Sequence, residues 1–222
     1  MKNKIIALIS IFILSLPNYA VAEEIAGLTE IGIVSAELLN KELEFDVIYG
    51  DRDAPVTITE YASLSCHHCK NFYEKVFLGL KKKYIDEGKV RLVYRHAPNN
   101  LPAIKAAMLV ECAEKNKKKQ KFIGALFKSQ HEWAYVGSPE ELEKNLRVVS
   151  KIGGINDETF EKCYKDDAME KRIIELQLKA RTELKVDSTP TVFVNDKKFF
   201  EERSVETFSS VIDALLKKAE EK

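Results

Sequence analysis

The sequence predicts an α/β fold in which a block of helices interrupts one sheet. Two β-rich segments, residues 56–61 and 90–94, flank a helical pattern. A strand–helix–strand unit of about 40 residues makes its two strands parallel. The strand signal is missing from residues 101–184 and returns after Val186. Because too few strands lie on either side of this block to close a core alone, we expect them all to share one sheet.

The first half of the sheet follows from three β-rich segments and one helical period. Residues 45–49 predict a short strand, and residues 56–61 and 90–94 predict the parallel pair. Between that pair, a helix of about 20 residues should begin after Ser65 and end at Gly88. Its buried face is predicted by apolar residues at helical spacing, namely Cys69, Phe72, Tyr73, Val76 and Leu80.

Capping residues predict where helices of the block begin. Ser138 precedes Pro139 and two glutamates, which is the pattern of an N-cap, a proline at the first helical position and a capping box. Asn156 is a second candidate cap, and Asp166 or Asp167 is a third. The block should therefore contain several separate helices.

The last part of the chain predicts a hairpin and one helix. Residues 191–194 and 198–200 alternate in polarity around the turn pair Asn195-Asp196. Ser204 then precedes an amphipathic run, so a final helix should begin there. The predicted order is strand–helix–strand, helical block, hairpin, helix.

Residues 1–22 are predicted to be a cleavable signal peptide. Lys2 and Lys4 precede an apolar run over residues 5–16, and Ala20 and Ala22 give the small residues of a cleavage site after Ala22. A membrane span needs about 20 apolar residues, so we expect no stable membrane insertion, although an uncleaved anchor is the alternative. The pattern is similar to a bacterial export signal, which predicts a periplasmic protein in a compartment where disulfides persist.

The composition excludes several classes of protein. The 222 residues are 45% hydrophobic and 32% charged, which is typical of a globular chain and not of a disordered or collagen-like one. Lys and Arg number 35, and Asp and Glu also number 35. This balance lacks the basic surplus of a nucleic-acid binder, so no nucleic-acid partner is expected. Four cysteines are too few for a small disulfide scaffold.

The tetrapeptide Cys66-His67-His68-Cys69 is the candidate active site. Cys66 lies where a strand gives way to a helix, and the free backbone N–H groups at a helix N-terminus stabilise a thiolate. Cys69 lies one turn later on the apolar face, so it should be shielded. An exposed thiolate beside a shielded thiol suits thiol–disulfide exchange. Positive charge on His67 or His68 would lower the pKa of Cys66 further.

A zinc or copper site is the alternative interpretation of this tetrapeptide. Two Cys and two His are metal-ligand types, but one helical turn cannot bring all four to a tetrahedral ion. A second ligand pair is not apparent, because Cys112, Cys163, His96 and His131 each stand alone. We therefore expect neither a metal nor another cofactor.

A family resemblance accompanies these residues. Residues 53–58 (Asp-Ala-Pro-Val-Thr-Ile), Glu60, the Cys66/Cys69 pair and the late Thr189-Pro190 resemble the DsbA-like thiol:disulfide oxidoreductases. That family has a thioredoxin fold with an inserted helical domain. The resemblance implies a thioredoxin-like domain over residues 23–98 and 185–222 and an inserted domain over residues 99–184. His67 departs from the pattern, since the best-known members carry Pro there.

Glu60 is the candidate proton-transfer group. Strand alternation places it on the same face as Val56 and Ile58, and the family has a buried acid six residues before its first active-site Cys. A carboxyl group in apolar surroundings has a raised pKa and can exchange a proton with Cys69. The alternative is an exposed carboxylate at a sheet edge.

Thr189 and Pro190 are the candidate substrate-binding residues. The resemblance implies that the bond between them is cis and that Pro190 faces the cysteine pair. It also implies that the backbone of Thr189 binds the substrate chain as an added strand.

Cys112 and Cys163 are left with two possible states. They could form a structural disulfide in the exported protein, or they could be two separate buried thiols. A second disulfide occurs in some DsbA-like proteins, so the resemblance favours pairing.

The predicted function is that of an exported protein-disulfide oxidoreductase acting as a dithiol oxidase. It would donate the Cys66–Cys69 disulfide to reduced or folding exported proteins. The resemblance implies reoxidation by a DsbB-like membrane quinone reductase. An isomerase or reductase of the same fold is the nearest alternative, although the roughly 20 residues before the first strand leave little room for an isomerase's extra N-terminal domain. A metal-binding module is the alternative from another class.

Overall fold

The computed structural model describes residues 28–29 and 33–221. Its six strands are β1 (Leu28–Thr29), β2 (Val47–Tyr49), β3 (Val56–Ala62), β4 (Val90–His96), β5 (Thr191–Val194) and β6 (Lys197–Phe199). Its α-helices are α1 (Ile33–Asn40), α2 (His67–Phe72), α3 (Leu78–Leu80), α4 (Leu101–Glu111), α5 (Asn116–Lys128), α6 (Gln130–Trp133), α7 (Pro139–Ser150), α8 (Asp157–Tyr164), α9 (Asp167–Leu184) and α10 (Val205–Glu220). The predicted signal peptide, residues 1–22, lies outside the described residues.

One mixed sheet joins strands from both ends of the chain, in the order β1-β6-β5-β3-β4-β2. Strands β3 and β4 are parallel in a register that pairs Glu60 with Tyr94, which confirms the predicted strand–helix–strand unit. Strand β5 runs antiparallel to β3 and forms the predicted hairpin with β6. Strand β1 pairs with β6 at the edge. Two residues carry no readable alternation, so β1 was not predictable from its own sequence.

The helical segment after β3 differs from the single α-helix predicted. It runs from residue 67 to residue 85 and ends before Gly88, but it contains π-helical turns at Tyr73–Phe77 and Lys81–Ile85. Apolar residues three to four apart suit either helix type, so the pattern could not reveal these turns. Helix α5 packs so closely on the first of them that a Cβ atom at Gly124 would clash with the Tyr73 hydroxyl.

Helices α4 to α9 lie between β4 and β5, and the predicted caps are present. The Ser138 hydroxyl accepts a hydrogen bond from the Glu141 N–H, and the Asn156 carbonyl oxygen accepts one from the Thr159 N–H. Asp166, rather than Asp167, caps α9. The helical insertion into one sheet is thus confirmed, and the domain limits at residues 99 and 184 stay predictions.

One apolar core connects the sheet to the inserted helices. Its buried side chains include Tyr94 of β4, Phe122 of α5 and Phe208 of α10. Within the described residues, no helix has the length and apolar content that a membrane span requires. Phe122 of α5 packs in the core on the face of the sheet that carries Glu60, whereas Ala180 and Leu184 of α9 pack with Tyr61 and Phe193 on the opposite face. The inserted helices therefore cover parts of both faces.

Candidate active site

Cys66 and Cys69 lie just after the end of β3, where the long helical segment begins. Cys66 is the N-cap of α2, with extended backbone angles (φ −79°, ψ 122°), and it is half-buried. Cys69 lies one turn later and its side chain is fully buried. Both are free thiols, so the structure represents the reduced state. The predicted asymmetry of exposure between the two thiols is present.

A buried polar network fixes the loop before Cys66. The hydroxyl of Ser63 donates to the side-chain oxygen of Asn99 at 2.7 Å, and that of Ser65 donates to Asn100 at 2.9 Å. Asn100 also caps α4 by accepting from the Ala103 N–H. These contacts tie the active-site loop to the first inserted helix.

The helical insertion holds the same loop from a second side. The buried Gln130 amide donates to the carbonyl oxygens of Leu64 at 2.7 Å and Cys66 at 3.1 Å. The Tyr135 hydroxyl donates to the Ser65 carbonyl at 3.0 Å. Sequence reasoning missed Gln130 and Tyr135. Gln130 is 64 positions from Cys66 and Tyr135 is 70 positions from Ser65, so the local sequence carries no signal of these contacts.

The pKa of the Cys66 thiol is lowered to about 5. The largest cause is the hydrogen bond that its sulfur accepts from the Cys69 thiol. The Thr189 side chain and the backbone N–H groups of Cys69 and His68 lower the pKa further. Partial burial opposes them. Hydrogen bonds to the charged form favour that form. Cys66 is therefore a thiolate at neutral pH, in the environment expected of a reactive cysteine.

The pKa of the Cys69 thiol is raised well above its usual value. Burial is the largest cause, followed by the hydrogen bond to Cys66 and the negative charge of Glu60. A thiol of this kind stays protonated while its neighbour is ionised. The pair therefore holds one proton and one negative charge at neutral pH.

His67 and His68 are both exposed, with ring centroids 6.1 Å apart. His68 helps to lower the pKa of Cys66 through its backbone N–H. The contribution of the two imidazole rings stays a prediction.

Glu60 lies beneath the cysteine pair on the β3 face that meets the core, with 3% of its surface exposed. Its pKa is raised to about 8, first by burial and then by the negative charge of Cys66, while the positive charge of Arg203 lowers it. Its Oε1 atom is buried without a hydrogen-bond partner among the described residues. The predicted burial of this carboxyl group is therefore observed, and its role in proton transfer stays a prediction.

Two buried tyrosines share these surroundings. The hydroxyls of Tyr49 and Tyr94 are, like Glu60, buried without a hydrogen-bond partner in the described part of the chain. Burial raises the pKa of both, and the charge of Glu60 raises them further. Sequence reasoning missed them because tyrosines in an apolar strand are normally core residues.

The bond between Thr189 and Pro190 is cis, as the resemblance implies, and the Thr189 backbone lies beside Cys66. That Pro190 faces the cysteine pair stays a prediction. The Thr189 carbonyl oxygen lies 3.3 Å from the Cys66 sulfur and accepts a hydrogen bond from it while Cys66 is protonated. Pro190 is buried directly before β5. A substrate sulfur bonded to Cys66 would therefore lie beside the Thr189 backbone.

Cys112 and Cys163 form a disulfide in the structure, with 6.4 Å between their Cα atoms. Cys112 is the residue that follows α4, and Cys163 lies in α8. The bridge connects two inserted helices away from the Cys66/Cys69 pair.

The metal interpretation gains no ligand set from the described residues. Among them, no three side chains of the His, Cys, Asp or Glu types converge on a point where an ion could be held. The Nε2 atom of His96 instead lies 2.9 Å from Glu111, and exposed His131 lies beside Glu132.

A half-buried thiolate at a helix N-terminus, a buried second thiol, and a cis-proline that follows the residue in contact with Cys66 define a thiol–disulfide exchange centre. Comparison with known families matches residues 42–214 to the family described as thioredoxin. The chain belongs to this family, among its DsbA-like protein-disulfide oxidoreductases. The predicted thioredoxin fold, family and enzyme class are confirmed.

Individual relatives agree with this assignment. A Rickettsia bellii sequence described as a protein-disulfide oxidoreductase is 28% identical over 81% of this chain and 68% of its own length. The disulfide bond formation protein D of Bacillus subtilis is 27% identical over 68% of each chain. Matches to four other Rickettsia relatives span only 61–62% of those proteins.

Solved structures show the same fold. The crystal structure of Wolbachia pipientis alpha-DsbA1 is 33% identical, with a TM-score of 0.72 over 83% of this chain and 97% of that one. BdbD from Bacillus subtilis, at 23% identity and a TM-score of 0.65, supports the fold alone.

Proposed function

We propose that this protein is an exported dithiol oxidase that transfers the Cys66–Cys69 disulfide to reduced proteins. The observation that carries the proposal is the opposite shift of the two thiol pKa values. Folding stabilises the Cys66 thiolate, and this stabilises the reduced enzyme relative to its disulfide. A disulfide whose reduced form is stabilised is a strong oxidant.

The exchange proceeds in two balanced steps. A substrate thiolate attacks the sulfur of Cys66, the Cys66–Cys69 bond breaks, and Cys69 leaves with the electron pair and takes up a proton. A second substrate thiolate then attacks the substrate sulfur of the mixed disulfide, and Cys66 leaves as a thiolate. The substrate loses two electrons and the enzyme gains them.

Glu60 supplies the proton that Cys69 needs in the first step. It lies on the strand beneath the pair, and its raised pKa keeps it protonated at neutral pH. Thr189 holds the substrate chain through its backbone, next to the sulfur of Cys66.

The cellular setting follows from the signal-peptide pattern and the family. The chain would be exported to the periplasm after cleavage behind Ala22. Its substrates would be reduced or folding exported proteins, and a DsbB-like membrane quinone reductase would return it to the disulfide form.

The equilibrium of the Cys66/Cys69 pair with glutathione tests the oxidase assignment. We expect a reduction potential well above the thioredoxin value of about −270 mV. A value at or below that of thioredoxin would instead favour a reductase. Zinc bound at one equivalent to protein purified under reducing conditions would support the metal-binding alternative.

The stability of the reduced protein should depend on pH through Cys66. Its folded pKa of about 5 lies below the usual value of 9.0, so this thiolate stabilises the fold above pH 9, and the effect is lost as pH falls through 5. Near pH 7 we expect the reduced protein to melt at a higher temperature than the disulfide form. The thiolate absorbance should titrate near pH 5, and a midpoint near 8.5 would contradict the proposal.

Glu60 should make stability depend on pH in the opposite sense to Cys66, and Glu60→Gln should remove that dependence. Burial raises the pKa of Glu60 from 4.5 to about 8. Ionisation of Glu60 therefore does not affect the free energy of unfolding below pH 4.5, and this free energy decreases as pH rises from 4.5 through 8. The variant should therefore gain stability relative to wild type across that window and should slow reduction of the disulfide by about 10- to 100-fold.

The control for this comparison is Glu158→Gln, which removes an exposed carboxyl group in α8. Chemical denaturation and stopped-flow reduction at several pH values measure both effects. Identical pH profiles for wild type and Glu60→Gln would show that Glu60 has no role in proton transfer.

A further inference from the structure

A small pocket of about 170 Å³ lies between Pro190 and the long helical segment that begins at the cysteine pair. The buried side chains of Phe72 and Val76 contribute its apolar surface. Its polar lining comes from His68, Asn71, Lys75 and Arg203, a set we call the basic pocket. His68 acts on Cys66 through its backbone N–H and Arg203 acts on Glu60 through its charge, whereas Asn71 and Lys75 have no part in the exchange chemistry.

The basic pocket has hydrogen-bond donors and positive charge, and no acidic side chain lines it. Lys75 and Arg203 are exposed, and among the described residues neither has a hydrogen-bond or ion-pair partner. Lys70, one turn before, is by contrast within 3.9 Å of Glu74. Two unpaired cations on one concave surface attract an anion, and a carboxylate can accept from several such donors at once.

The basic pocket also adjoins the reacting atoms. Pro190 lines it, and the preceding residue, Thr189, contacts the sulfur of Cys66. The charge of Arg203 reaches Glu60, because it lowers the pKa that burial raises. A group bound in this pocket would therefore belong to the molecule whose thiol reacts with Cys66.

We propose that the basic pocket binds a carboxylate of the thiol substrate, within a few residues of its reacting cysteine. This inference rests on the proposed exchange function. The carboxylate could come from an acidic side chain of a polypeptide or from a small acidic thiol such as glutathione. Both present the same group at a short distance from a thiol.

The test compares two short peptides with blocked ends that differ only by Glu or Gln next to a single cysteine. The measured quantity is the rate constant for reduction of the Cys66–Cys69 disulfide. We define the preference as the rate constant for the Glu peptide divided by that for the Gln peptide. This preference should be about fivefold larger in wild type than in Lys75→Gln or Arg203→Gln, and added salt should reduce the difference. The Glu side chain also changes the reactivity of the peptide's own thiol, and an Arg203 variant also changes the environment of Glu60. Both effects cancel when the wild-type preference is divided by the variant preference.

Lys144→Gln is the matched control, since Lys144 is an exposed lysine of α7. It should keep the wild-type preference. Lys75→Glu should reverse the preference toward a peptide with Lys next to the cysteine, which no general loss of activity would produce. Glutathione and its diester form a second pair that tests the small-thiol source.

The outcomes separate the two sources and the two proposals. A preference lost in the pocket variants for the peptide pair assigns the polypeptide source, and one lost for the glutathione pair assigns the small thiol. Equal preferences in wild type and all variants, with disulfide reduction still rapid, would overturn the carboxylate site and leave the oxidase function standing. Failure of every thiol to reduce the wild-type disulfide would overturn both.

Discussion

Cys66→Ser is expected to abolish disulfide transfer to substrate thiols. The variant cannot form the Cys66–Cys69 bond, and a serine hydroxyl is not ionised at neutral pH. The half-buried sulfur at the start of α2 is also the atom that the Thr189 carbonyl contacts, so Cys69 cannot replace it from its fully buried position. Oxidation of a reduced, unfolded substrate protein should fall to the rate of the reaction without enzyme.

Cys69→Ser should give a different result with a substrate that contains a disulfide. The Cys66 thiolate can still attack that disulfide, forming a mixed disulfide while one substrate sulfur leaves as a thiolate, but Cys69 is absent and cannot displace the substrate again, so covalent complexes should accumulate. Non-reducing electrophoresis detects them, and mass spectrometry identifies the linked cysteine. Trapping by Cys66→Ser instead of Cys69→Ser would reverse the assigned roles.

Selective alkylation checks the same assignment in the wild-type protein. At about pH 6 the reduced chain should be modified at Cys66 alone, because only that thiol has a lowered pKa. A variant lacking Cys112 and Cys163 is the control for modification elsewhere. Equal alkylation rates at Cys66 and Cys69 would contradict the assignment of Cys66 as the reactive thiol and Cys69 as the shielded one.

The sequence was sufficient for those parts of the site that depend on local periodicity. Strand alternation placed Glu60 on the core side of β3, and helical spacing placed Cys69 on the buried side of the helix. The step from strand to helix placed Cys66 at the N-cap. Each of these positions is set by neighbours within one turn or one pleat.

The remaining parts depend on contacts between distant segments. Gln130 reaches the carbonyl of Cys66 across 64 positions, and Arg203 reaches the environment of Glu60 from just before the last helix. Neither has a residue type or spacing that distinguishes it from a surface residue. Tyr94 lies opposite Glu60 only because β3 and β4 pair in one particular register.

The second largest expected effect is on stability, through Cys112 and Cys163. Their bridge closes a segment with a sequence separation of 51 between α4 and α8. In the chain-entropy account, opening such a loop destabilises the fold by about 4 kcal/mol. For a chain of this size that corresponds to a decrease in melting temperature of about 10 °C.

The double variant Cys112→Ala/Cys163→Ala tests this effect, because it removes the bridge and leaves no unpaired buried thiol. Both proteins must have the Cys66/Cys69 pair in the same redox state, since the thiolate itself changes stability. Denaturant midpoints and melting temperatures then measure the difference. Disulfide transfer at a temperature where both proteins are folded should be nearly unchanged, because the bridge lies away from Cys66.

Two results would contradict a structural disulfide at this position. One is the recovery of Cys112 and Cys163 as free thiols from protein made in an oxidising compartment and alkylated in denaturant. The other is a loss below about 1 kcal/mol in the double variant, which is the range of an ordinary point substitution. A loss near 4 kcal/mol with exchange preserved would instead assign the two cysteine pairs to separate tasks, because one sets the stability of the inserted helices and the other performs the chemistry.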